Sequence, residues 1–181
     1  MTSHLLFEFK LCVCTEVQPE NGPKDDLLIE GCAEFTNMLE TKSFIQNRRL
    51  YGEKCGLDVK FLVLISAVQA FVDVEILSAP AYGFNLNLYA KTSGFSDVIR
   101  LYRGTTEAGR RLSSVVAVER RSYLDLRIEG NPKDDGGVFQ KLPPSVWDNS
   151  FTACYHGMVD EVVNLDKSTT ISVKITWKTV D

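Results

Sequence analysis

Seven arginines crowd the stretch between positions 100 and 127: Arg100, Arg103, Arg110, Arg111, Arg120, Arg121 and Arg127, set against Glu107, Glu119 and Asp125. A guanidinium offers a planar fork of donors that matches phosphate or carboxylate bidentately, so this stretch is the chain's candidate surface for RNA or an acidic partner. Tyr102 and Tyr123 lie beside it and add rings on which bases stack. Two considerations weigh against that use. Successive strand residues alternate, which sends Arg100 and Arg120 to a different sheet surface from Arg103 and Arg121. Cross-strand pairing with acids and ordinary solvation is also the plainer account of exposed arginine.

Other chemistry is thinner. Glu107-Ala-Gly-Arg110 has the Glu-x-x-Arg spacing that, on a helix, sets a carboxylate and a guanidinium around a nucleobase for depurination. Gly109 disfavours a helix interior there, and the reading needs a helix through Thr105 to Ser113 where a strand–turn–strand is expected. Only His4 and His156 are available to a hydrolase, no Gly-x-Ser-x-Gly elbow occurs, and Cys154 and His156 are expected on one strand face rather than on a strained turn. No catalytic residue is assigned. Phosphate-loop and dinucleotide glycine motifs are missing, so no cofactor is expected. Cys12-Val-Cys14 reads as two small semi-buried side chains on one strand face, and the remaining Cys and His lack the spacing of a four-ligand zinc site. Asp25-Asp26 and Asp134-Asp135 each sit beside a lysine without alternating ligand spacing, so they read as solvated turn acids rather than calcium ligands. No metal is expected.

The elements that must position these groups are strands. With 181 residues, 44% hydrophobic and 24% charged, the chain has the composition of a globular protein, and one domain over 1–181 is the default. A formal net charge of −4 argues against binding nucleic acid or an anionic membrane through overall charge. The opening residues have no basic start and carry Glu8 and Lys10 inside the apolar run, so they read as a strand rather than a secretory signal. The longest apolar stretch, Phe61 to Val72, falls short of a bilayer span, and no membrane association is expected. Five cysteines without a Cys-x-x-Cys pair favour reduced thiols, hence a cytoplasmic or nuclear address.

Period-two alternation runs through the sequence. Leu5, Phe7, Phe9, Leu11 and Val13 form one face of a first strand; Ile29, Gly31, Ala33 and Phe35 form one face of a second, from Leu27 to Thr36. Residues 37–56 are the least regular, and a short helix fits there without being required. Val59 to Ile65 and Ala70 to Leu77 read as a pair of strands with their turn between Ser66 and Gln69. Phe84-Asn-Leu-Asn-Leu-Tyr-Ala90 is the cleanest alternation. Strands are further expected over Asp97 to Arg103, Leu112 to Glu119, Ser122 to Glu129, Phe151 to Met158 and Thr170 to Lys178. The breaks at 19–26 and 131–137 are rich in Pro, Gly, Asn and Asp. About ten short strands imply an all-β, antiparallel β-sandwich, with a flattened barrel as the alternative that alternation cannot separate.

The order of these features resembles a plant family of uncharacterised β-rich domains, found mainly in grasses and sometimes fused to a ribosome-inactivating RNA N-glycosidase domain. The likeness is carried by Ile29-Glu-Gly31, Asn37, Leu39, Lys42, Ile45 and Asn47-Arg48, although the family's usual acid near Asn37 is absent. It continues through Phe61-Leu-Val-Leu64, Ala70-Phe-Val-Asp-Val-Glu-Ile76 and Phe84-Asn-Leu-Asn-Leu-Tyr-Ala-Lys91. Phe151-Thr-Ala153, then Asp160, Val162, Val163 and Leu165, and finally Ser172-Val-Lys174 resemble the closing segment. The resemblance implies a non-catalytic accessory or interaction domain linked to stress or defence, with no catalytic residues to carry over.

The expectation is therefore a non-enzymatic domain that binds another macromolecule, a protein first and RNA as the alternative through the Arg100 to Arg127 region. A third expectation is homo-oligomeric assembly through an exposed edge strand, for which Thr170 to Trp177 is the candidate.

Overall fold

The computed structural model describes residues 3–13, 26–37, 41–52, 55–132 and 143–179. Among the described residues there are twelve strands and no helix, and every pairing is antiparallel. The chain divides into two compact units, Met1–Ile65 and Ser66–Asp181.

In the first unit, β1 (Ser3–Val13) pairs with β2 (Asp26–Asn37), and β3 (Phe44–Tyr51) pairs with β4 (Gly56–Val63). Phe9 lies opposite Gly31, and a Cβ on that glycine would meet the Phe9 ring at 2.9 Å, so the missing side chain is what lets the ring lie across the hairpin. Ala33 and Leu50 are buried together, with Phe9, Leu57, Val59 and Phe61 packed around them. The irregular stretch of the sequence thus holds a strand, β3. Its pattern is hidden because Gln46 and Arg48 share a face with Leu50, and the Arg48 guanidinium donates to the Glu34 carbonyl at 3.0 Å, tying the two hairpins together.

The second unit is a sandwich. One sheet, here the front sheet, has the order β10-β9-β6-β7, built from β10 (Ser145–Thr152), β9 (Tyr123–Pro132), β6 (Phe84–Thr92) and β7 (Ile99–Thr106). The back sheet has the order β11-β12-β5-β8, from β11 (Gly157–Asn164), β12 (Thr170–Thr179), β5 (Ala67–Ser78) and β8 (Arg111–Glu119). Alternate residues of both sheets meet in one core. Phe84, Leu86, Leu88, Leu124, Leu126 and Ile128 face it from the front, and Val72, Val74, Ile76, Ile171, Val173 and Ile175 from the back. Both sheets keep free edges, so the architecture is a sandwich rather than a barrel.

Three expectations are corrected here. The segment Phe151 to Met158 is not one strand but the end of β10, a turn over 153–156, and the start of β11, so Cys154 and His156 lie in a turn rather than on a strand face. At the break the Ala153 amide donates to the Ser122 carbonyl at 2.8 Å, and Gly157 takes a φ of 135° that side-chain-bearing residues rarely adopt. The Asn149 amide of β10 donates to both carboxylate oxygens of Glu161 on β11, at 3.0 and 2.9 Å, and these two residues interrupt the apolar alternation of both strands. The segments on either side of Ser66 do not pair with one another: β4 pairs with β3, whereas β5 lies between β12 and β8. Finally, Thr170 to Trp177 is not an edge. β12 is enclosed by β11 and β5, and its apolar face of Ile171, Val173, Ile175 and Trp177 is buried; the true edges of that sheet are β11 and β8.

Candidate binding surface

β6 turns Phe84, Leu86, Leu88 and Ala90 into the core, so Asn85, Asn87, Tyr89 and Lys91 necessarily line the outer face of the front sheet. Strand register then sets rows across it. One row runs Asp148, Arg127, Tyr89, Arg100 across all four strands; the next runs Val146, Glu129, Asn87, Arg103. Arg100 and Arg103 are three apart, a spacing that opposes two residues in a regular strand. A bulge between Leu88 and Tyr89 in the β6–β7 pairing absorbs one residue of β7 and returns both arginines to the same face. This is the signal that alternation alone misses.

The charges on this face are unevenly partnered. Arg127 Nε donates to Glu129 Oε1 at 2.7 Å, and its Nη1 lies 3.6 Å from Asp148 Oδ2. The Glu129 hydrogen bond, and after it the charge of Asp148, hold the Arg127 guanidinium above its ordinary value. Arg100 and Arg103, both exposed, make no ion pair with any described residue. Between β6, β9 and β10 lies a shallow groove of about 510 Å³, lined among others by Tyr89, Lys91, Val98, Asp125, Arg127 and Asp148. Val98 and Tyr123 are more than half exposed, and Tyr123 continues the outward row of Asp125 and Arg127 on β9.

The other four arginines are elsewhere. Arg111 is on the outer face of the back sheet, 3.0 Å from Glu75. Arg110 lies in the β7–β8 connection. Arg120 places its guanidinium 5.1 Å from the Tyr155 ring centroid, and Arg121 occupies the β8–β9 turn with a φ of 63°. The seven-residue cluster of the sequence therefore reduces to Arg100, Arg103 and Arg127 on one surface, joined there by Tyr89, Asn87 and Lys91, to which the spacing of the arginines does not point. Their signal was present in the strict alternation of 84–91.

The segment from Thr105 to Ser113 is strand, turn and strand, so the helix that a depurination site needs does not form. Cys12 is exposed rather than semi-buried. Among the described residues no group of three or more His, Cys, Asp or Glu side chains could hold a metal ion, and no helix is long and apolar enough to cross a membrane. Cys14, Asp25, Asp134 and Asp135 lie outside the described residues.

Fold and surface together define an all-β protein whose sandwich presents one mixed-charge, groove-bearing sheet face. Residues 1–175 match the family model described as Domain of unknown function (DUF6598), and the chain belongs to that family. Searches of curated proteins and of solved structures return no match.

Proposed function

We propose that this chain is a non-enzymatic interaction domain that binds a protein partner through the outer face of the front sheet. The observation that carries this reading is the bulge-restored alignment of Arg100 and Arg103 beside Tyr89 and the 510 Å³ groove. Unpaired guanidinium groups at a sheet edge attract carboxylates, and an aromatic ring at the centre of the face supplies desolvated contact area. Asp125, Glu129 and Asp148 occupy the β9 and β10 side of the same face. Such a division of charge suits a protein surface with both signs better than a polyphosphate, which the acids would repel. The resemblance to grass domains supports an accessory role in stress or defence, and the exposed free thiols Cys12, Cys32 and Cys154 support a reducing cytoplasmic or nuclear setting.

RNA is the second reading, favoured by one feature: Tyr89 lies between Arg127 and Arg100 in a single row, an arrangement in which a base stacks and its phosphates find guanidinium groups. Parallel capture experiments with the parent chain and an Arg100→Glu/Arg103→Glu protein separate the two. A protein captured by the parent and lost by the variant supports the first reading; RNA binding that falls steeply with salt and with the substitutions supports the second. Capture that the substitutions leave unchanged removes this face from the account.

A further inference from the structure

We propose that a second cavity, apart from the front-sheet face, is a binding site for a small zwitterion: a free amino acid with an aromatic side chain. The cavity, of about 330 Å³, lies between the turn over 80–83 and the β7–β8 connection, and Tyr82, Tyr102, Thr106, Glu107 and Arg110 line it. Its volume is at the small end of the range for ligand sites, about 300–1,000 Å³.

The walls are fixed by the chain itself. The Gly83 amide donates to the Pro80 carbonyl at 2.8 Å, and with a φ of +76° this glycine closes so tightly that a Cβ would lie 2.8 Å from the Thr106 carbonyl oxygen. On the other side, the Gly109 amide donates to the Ile76 carbonyl at 2.8 Å and the Ile76 amide to the Arg110 carbonyl at 3.0 Å, which anchors the connection to β5. The Tyr102 hydroxyl donates to the Thr105 carbonyl at 3.1 Å across Gly104, whose missing Cβ leaves space for that hydroxyl. The ring is therefore held in place before any ligand arrives.

Two features are left without partners. Thr106 is 5% exposed, and its hydroxyl makes no hydrogen bond. Glu107 and Arg110 are exposed on a single turn, where the Arg110 amide donates to the Glu107 carbonyl at 3.3 Å, yet their side chains pair neither with each other nor with another described residue.

The chemistry follows from that pair. A simple anion drawn to Arg110 meets the charge of Glu107, and a simple cation drawn to Glu107 meets Arg110. A molecule with carboxylate and ammonium on adjacent atoms satisfies both at once, its carboxylate taken by the guanidinium fork and its ammonium by the carboxylate. The Tyr82 and Tyr102 rings supply the surface for an aromatic side chain.

The test is a titration of the full chain, followed by calorimetry and by amide chemical shifts of 81–83 and 105–110. The probes are L-phenylalanine, its amide, which lacks the carboxylate, and its N-acetyl derivative, which lacks the ammonium. Saturable binding of L-phenylalanine is expected, about tenfold weaker for either derivative and weakened to a similar extent by Arg110→Gln or Glu107→Gln. No saturable response up to about 10 mM, equal binding of the three probes, or an affinity indifferent to both substitutions overturns the proposal.

Discussion

At the residue scale, backbone space decides more than side-chain identity. Gly83 and Gly94 both have positive φ, 76° and 79°, but only Gly83 has a carbonyl oxygen where its Cβ would be; nothing lies within 4 Å of the corresponding position at Gly94. Gly94→Ala is expected to cost about 1 kcal/mol from backbone strain alone, and Gly83→Ala at least about 1 kcal/mol more, because a backbone oxygen cannot swing aside. Urea denaturation of the two variants checks the order; equal losses would mean that the close approach at Gly83 carries no energy. Asp166 is a second residue whose geometry predicts its thermodynamics. Desolvation pushes its carboxyl upward, but hydrogen bonds from the Ser168 amide at 2.7 Å and the Thr169 amide at 2.8 Å, with both hydroxyls, win and hold it below its ordinary value. A depressed carboxylate contributes stability in full above its unfolded value and loses it as the pH falls through the folded one. Asp166→Ala is therefore expected to cost about 1–3 kcal/mol at neutral pH, with the gap to the parent closing in acid. A gap that stays constant between pH 7 and about pH 2.5 would contradict this.

At the element scale, burial separates strands that the sequence makes look alike. β11 and β12 are both rich in β-branched residues, but Ile175 on β12 is 0% exposed, whereas Val162 on β11 is 65% exposed. Ile175→Ala is expected to lose about 2–5 kcal/mol and Val162→Ala no more than about 0.5 kcal/mol, as read from denaturation midpoints. Similar losses at both positions would mean that β12 is not the enclosed strand. The same contrast explains what was legible. β5, β6 and β12 alternate cleanly because each has neighbours on both sides and at least four successive apolar residues on its inner face. β3, β10 and β11 blurred because Arg48, Asn149 and Glu161 spend their polarity on contacts between strands, and nothing in one-dimensional alternation distinguishes such a contact from a loop. Of the candidate surface, the arginines were legible by type but not by place. Register and one bulge, which depend on partner strands far away in the chain, decided that three of seven share a face.

At the scale of the whole molecule, the two units differ in what holds them. Among the described residues, the sandwich has a continuous core with buried residues from seven of its eight strands, while the first unit buries only Ile29 and the pair Ala33 and Leu50 with their partly buried neighbours. A chain starting at Ser66 is accordingly expected to give a cooperative thermal transition by circular dichroism, and residues 1–65 alone to give none, since so small a core cannot offset the entropy of ordering the chain. A cooperative transition for 1–65 would refute that ranking. The division also gives the proposed interaction its logic, because the face bearing Arg100, Arg103 and Tyr89 belongs wholly to the second unit, which is expected to fold without the first. The most direct test sets two substitutions of equal charge against each other, Arg100→Glu/Arg103→Glu on the front sheet and Arg111→Glu/Arg121→Glu away from it, and measures each variant's affinity for the macromolecule the parent captures. The front-sheet pair is predicted to weaken binding at least about tenfold and the other pair by no more than about twofold; equal effects, or a larger loss from the second pair, would contradict a binding surface on the front sheet.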